Sequence, residues 1–122
     1  MEKAIEEGEI QGVVDLYLVK DFKELIILYE PVWALGTGQT PRPEEVEEVV
    51  KIIYKALQNL YQLDKQKKIR IVYAGSVAPS NVEKYIKIPG INGVAVGTAS
   101  LQAEIMAEII HKVENVAKRQ TF

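Results

Sequence analysis

"ELIILYEPVWALGTGQTPRPEEV", residues 24–46, passes through three kinds of chain in succession. Residues 24–29 form a nearly continuous apolar run, which predicts a strand buried on both faces. A single carboxylate, Glu30, follows and stands directly before Pro31. Residues 31–40 then mix apolar side chains with Gly36 and Gly38 and contain the chain's only tryptophan, Trp33. Beyond them Val46, Val49, Val50, Ile53, Leu57 and Leu60 recur at the spacing of one helical face, predicting a helix over 43–61. Pro43 suits the first helical position, and Glu44 and Glu45 suit the positive end of the helix dipole. A strand, a glycine-bearing loop and an amphipathic helix make one βα unit.

The pattern repeats toward the C-terminus. "DKQKK" at 64–68 is a polar loop, and "IRIVY" at 69–73 predicts a second strand. "SNVE" at 80–83 has the form of a capping box and opens a short helix to about Ile88. "PGING" reads as a turn, "GVAV" at 93–96 as a third strand, and Ser100 as the cap of a last helix from Leu101 to about Ala117. Upstream, residues 1–20 place Ile5, Val13, Val14, Leu16, Tyr17 and Leu18 among charges, which predicts a helix weakened by Gly8 and Gly12. Strands separated by helices pair in parallel, so the fold class is α/β.

The chain has 122 residues, a formal net charge of −2 and no cysteine. That length suits one small domain. The slightly acidic balance argues against a nucleic-acid binder, which carries a basic stripe. Lack of cysteine excludes a disulfide framework and a thiolate metal site, and no metal ligands are expected. The acidic, amphipathic start "MEKAIEEGEI" is unlike a secretory signal, and "LIILY" is too short to span a bilayer. A cytoplasmic protein without membrane contact is expected.

Every predicted strand ends in a stretch of unusual composition: Glu30 and its loop, "YAGSV" at 73–77, and "VGTAS" at 96–100. In parallel α/β architectures ligands bind at the carboxyl ends of the strands, so all three fall on one edge. Glycines there let backbone amides approach an anion, and a following helix start adds its dipole. Gly75-Ser76 and Gly97-Thr98 are therefore candidate phosphate contacts, although a single such turn is as often plain turn chemistry. Glu30 follows an apolar run, and burial of a carboxyl favours acid–base work. An exposed strand-end glutamate without a chemical role is the commoner outcome. His111, the only histidine, lies on the last helix, remote from this edge, and reads as structural. Arg70, inside a strand, reads as one half of a structural ion pair. Trp33, in a glycine-bearing loop, reads as a lid residue.

"YEPVWALGTG", "YAGSV" and "VGTAS", in this order and spacing, closely resemble the C-terminal half of the triosephosphate isomerase family. The resemblance is clear from Leu25 to Ala117, and residues 1–20 look like a shortened helix before the family's sixth strand. It implies a partial TIM barrel, with strands six to eight and no cofactor. The family interconverts dihydroxyacetone phosphate and glyceraldehyde 3-phosphate, and is itself the worked example of a Glu base beside a neutral His under a closing lid. By resemblance Glu30 is the base. The lid and its hinges run through Pro31, Val32, Trp33, Ala34, Leu35, Gly36, Thr37, Gly38, Gln39 and Thr40. Gly36, Ser76, Gly97 and Thr98 match phosphate contacts, and Tyr73 with Ser76 matches the latch of the closed lid.

The chain departs from the family pattern at three places. Ala74-Gly75 stands for the usual Gly-Gly, and Gly97-Thr98 for a second Gly-Gly, where Thr98 adds a side chain close to the expected phosphate. Pro41 occupies the position whose amide the latch tyrosine receives, and proline has no amide proton. A full barrel takes roughly 250 residues. The family's Asn-x-Lys segment and its catalytic histidine are absent here, and His111 cannot replace the latter. Bare strand edges and a small core predict self-association or completion by a complementary N-terminal half-barrel. Isomerase activity is then expected only with a partner that supplies Lys and His. The alternative is a non-catalytic remnant acting as a phosphate-binding or oligomerisation module.

Overall fold

In the computed structural model residues 22–31, 39–61 and 67–120 are described. The first strand, β1 (Glu24–Tyr29), is followed by helix α1 (Pro43–Leu60), strand β2 (Lys68–Ala74), the short helix α2 (Val82–Ile86), strand β3 (Ile91–Ala95), a 3-10 turn (Thr98–Leu101) and helix α3 (Ala103–Gln120). The three strands form one parallel sheet in the order β1-β2-β3. The helix expected over 1–20 and the loop 64–66 lie outside the described residues.

Register fixes which side chains share a face. Leu25, Ile27 and Tyr29 of β1 lie beside Ile69, Ile71 and Tyr73 of β2. This set turns toward the helices, where it joins Val46, Val50, Ile53 and Leu57 of α1, Val82 and Tyr85 of α2, and Ile109 of α3 in one buried cluster. The spacing read from α1 is thus the spacing of its buried stripe. Pro43 opens that helix, and the Glu45 carboxylate accepts the Arg42 amide proton at 2.9 Å, closing the first turn.

The opposite face corrects one expectation. The run over 24–29 is not buried on both sides, because Ile26 and Leu28 remain 62% and 58% exposed. Beside them in register stand Arg70 and Val72, then Gly93 and Ala95 across β2. The apolar residues are there, but no layer of the described chain covers them. Arg70 pairs with Glu24 on this face, the structural role expected of it.

Three boundaries also move. The third strand starts at Ile91 rather than Gly93. A register irregularity between Ile71 and Val72 lets the Asn92 Oδ1 accept the Ile71 amide at 3.0 Å, so a polar residue completes the ladder that turn composition hid. The turn itself is made at Gly90, whose φ of 89° favours glycine. Helix α2 is shorter than the capping-box reading, spanning Val82–Ile86 with Asn81 before it, and Ser80 is exposed. Ser100 does not cap α3. Its hydroxyl donates to the Gly97 carbonyl at 2.6 Å inside the 3-10 turn, and α3 begins at Ala103.

Candidate active site

A parallel sheet brings its strand ends to a common edge, and three of the expected positions meet there. Glu30 follows the last residue of β1, Gly75 and Ser76 follow β2, and Gly97 and Thr98 follow β3. Glu30, Ser76, Gly97 and Thr98 are all exposed. Strand alternation puts Glu30 on the side of Ile26 and Leu28. Since those residues are themselves exposed, the apolar wall expected beside the carboxylate is not formed by the described chain.

The loop after β2 is built by one asparagine. Asn81 Nδ2 donates to the Ser76 carbonyl at 2.6 Å, and its Oδ1 accepts the Ala78 amide at 2.8 Å. The two bonds hold the loop across five residues and set the backbone that presents Ser76. Lys112 of α3 donates to the Pro79 carbonyl at 2.8 Å and ties the same loop to the last helix. After β3 the 3-10 turn begins at Thr98, and its first amides have no acceptor within the turn. Gly97 has a φ of −84°, and a β-carbon there would meet nothing within 4 Å. Thr98 is exposed.

Tyr73, expected as a latch, is fully buried on the helix side of β2 and stacks on Tyr85, with ring centroids 4.1 Å apart and planes 20° from parallel. Its hydroxyl has no hydrogen-bond partner among the described residues. Burial, reinforced by the neighbouring Tyr85 hydroxyl, drives its pKa well above the usual tyrosine range. Pro31, the first residue of the expected lid, and Pro41, just after its last, are both fully buried. Gln39 is exposed and Thr40 half-buried. Val32, Trp33, Ala34, Leu35, Gly36, Thr37 and Gly38 lie outside the described residues. His111 is exposed on α3, with its Nε2 3.3 Å from Asn115 Nδ2.

Comparison with known proteins agrees with the motifs carried by this edge. The family model described as triosephosphate isomerase matches residues 1–113. The chain belongs to the triosephosphate isomerase family. The triosephosphate isomerase of Chloroherpeton thalassium is 38% identical over 112 residues, covering 92% of this chain and 44% of that protein. The one from Chlorobium phaeovibrioides is 43% identical over 103 residues, 84% of this chain and 39% of its own length. For Lactobacillus helveticus the values are 38% over 104 residues, with 85% and 41% covered. The chain therefore spans about two fifths of the length of the curated relatives it matches, their C-terminal portion. Its three parallel strands alternating with helices are a partial triosephosphate isomerase barrel. No described helix is long and apolar enough to cross a membrane.

Asn81, Lys112 and Tyr85 escaped the sequence reading. "APSN" could have suggested an Asx-type turn around Asn81. The partners of Lys112 and Tyr85 lie 33 and 44 residues away, and no local pattern announces them.

Proposed function

We propose that this chain is the C-terminal portion of a triosephosphate isomerase, acting when a second segment completes the barrel and supplies the Lys and His that it lacks. Glu30 moves the proton between the adjacent carbons of the triose phosphate. The amides around Gly36, Gly97 and Thr98, with Ser76, hold the phosphate, and residues 31–40 cover the bound substrate. A cover has a chemical purpose, since the enediolate eliminates phosphate if water reaches it. The observation that supports the reading is the position of Glu30, at the carboxyl end of a parallel strand and on the same edge as two glycine-bearing loops.

The test is reconstitution. The chain is mixed with, or fused behind, a triosephosphate isomerase N-terminal segment carrying Asn-x-Lys and the histidine, and isomerisation is followed in both directions. Activity is expected from the mixture and not from the chain alone. Glu30→Gln should lower the restored kcat by about 100- to 10,000-fold, the contribution of a positioned general base. Full activity in Glu30→Gln would rule out Glu30 as the base.

A non-catalytic phosphate-binding or oligomerisation module is the second reading. Pro41 favours it, because proline cannot give an amide proton to the latch. Saturable phosphate-analogue binding by the reconstituted protein without turnover would support the module over the enzyme.

A further inference from the structure

Among the described residues the buried tyrosine pair leaves one oxygen without a partner and employs the other across the fold. Tyr85, on α2, donates its hydroxyl proton to the carbonyl oxygen of Pro41 at 2.7 Å, and the bond is buried. Pro41 is the last residue but one before α1. Its carbonyl is the part of residue 41 that can still bond, because its nitrogen carries no proton. Tyr73 stacks on Tyr85 and lies under the backbone of Gly75, where a β-carbon would come within 2.5 Å of its hydroxyl oxygen. The Tyr73 ring is held between these neighbours, and its hydroxyl has no partner among the described residues.

We propose that Tyr85 is the positioning residue that fixes the carboxyl-side end of the loop bearing Glu30, by holding Pro41 through its carbonyl. The tie joins α2, which follows the Ser76 loop, to the start of α1. It therefore sets the spacing between two of the three strand-end segments. Residue 42 inherits the constraint. The Arg42 amide is oriented toward Glu45, and that bond begins α1. Only the catalytic consequence rests on the isomerase reading. The tie itself is measurable in the chain without substrate, so the two can fail separately.

Hydrogen exchange of the full chain reads it. Tyr85→Phe keeps the ring and removes one oxygen. Exchange at Thr40 and Arg42 should rise roughly five- to tenfold relative to Val50 and Ile53 of α1, the effect of one lost hydrogen bond. A uniform rise across α1, or no change at Thr40 and Arg42, would overturn the proposal. If Tyr85→Phe does not fold, the unaltered chain decides by NMR. A slowly exchanging Tyr85 hydroxyl proton close to Pro41 supports the tie, and a rapidly exchanging one overturns it.

Discussion

Tyr73 and Gly75 are coupled, and the coupling makes opposite demands on their substitutions. The Tyr73 hydroxyl is buried and unpaired among the described residues, and an orphaned hydroxyl costs free energy that a hydrogen atom in its place does not. Tyr73→Phe is therefore expected to leave stability unchanged or raise it by up to about 1 kcal/mol in urea unfolding. A clear loss would reveal a partner for the oxygen. Gly75→Ala should cost about 1–3 kcal/mol, because the new β-carbon meets a ring that cannot swing away from its stack on Tyr85. Combining the two changes should recover part of that cost but not all of it, since the ring carbon bearing the hydroxyl is also only 2.9 Å from the new atom. The raised Tyr73 pKa gives this site a pH signature. The neutral phenol is favoured in the folded state, so the contribution is fully present below the unfolded value, about 10, and is lost as pH rises beyond it. Tyr73→Phe should blunt the alkaline fall in melting temperature.

Element by element, the sequence announced what depends on neighbours in the chain and missed what depends on distant contacts. The bounds of β1 were legible because apolar residues end abruptly at Glu30, and α1 because its stripe is long and opens with proline and acids. Ser100 misled, since a serine before an apolar run caps a helix only if the next turn is α-helical. Here that turn is 3-10 and the hydroxyl serves the Gly97 carbonyl. The strand-end edge was legible in the glycines and Glu30. The clamp of Asn81 and the reach of Tyr85 were not, because each is defined by a fold that had first to bring its partners together. The start of α1 offers a test at this scale. The Arg42 backbone amide, followed by the Arg42 side chain, lowers the Glu45 pKa. A depressed carboxyl contributes its stability above the unfolded pKa and loses it as pH falls through the folded one. The first turn of α1 should therefore fray as pH falls below the ordinary glutamate range, seen as faster exchange at Val46, and Glu45→Gln should show that fraying at neutral pH.

The described residues form an α/β layer with one face covered by helices and one that none of them covers. Ile26 and Leu28 project from the open face, and Val72, Gly93 and Ala95 extend it across the sheet. In a closed parallel barrel, side chains on this side of the strands pack against one another as the interior. The chain matches 39–44% of the length of its relatives, and the remainder of a relative is what a barrel would use to close that interior. Among the described residues the outer strands β1 and β3 each have one neighbour in the sheet, which leaves one edge of each open to pairing. Both features point the same way: the isolated chain should associate, and a complementary N-terminal segment should suppress that association by occupying the face. Light scattering after size exclusion measures it. The chain alone is expected above the 13.7 kDa of one copy, and a stoichiometric N-terminal segment should convert it to a discrete complex. Leu28→Lys should weaken association of the chain alone and block the complex, because a charge on the open face is tolerated in water but not in a closed interior. An isolated chain that runs as a stable, compact monomer, with Leu28→Lys behaving identically, would show that the open face needs no cover.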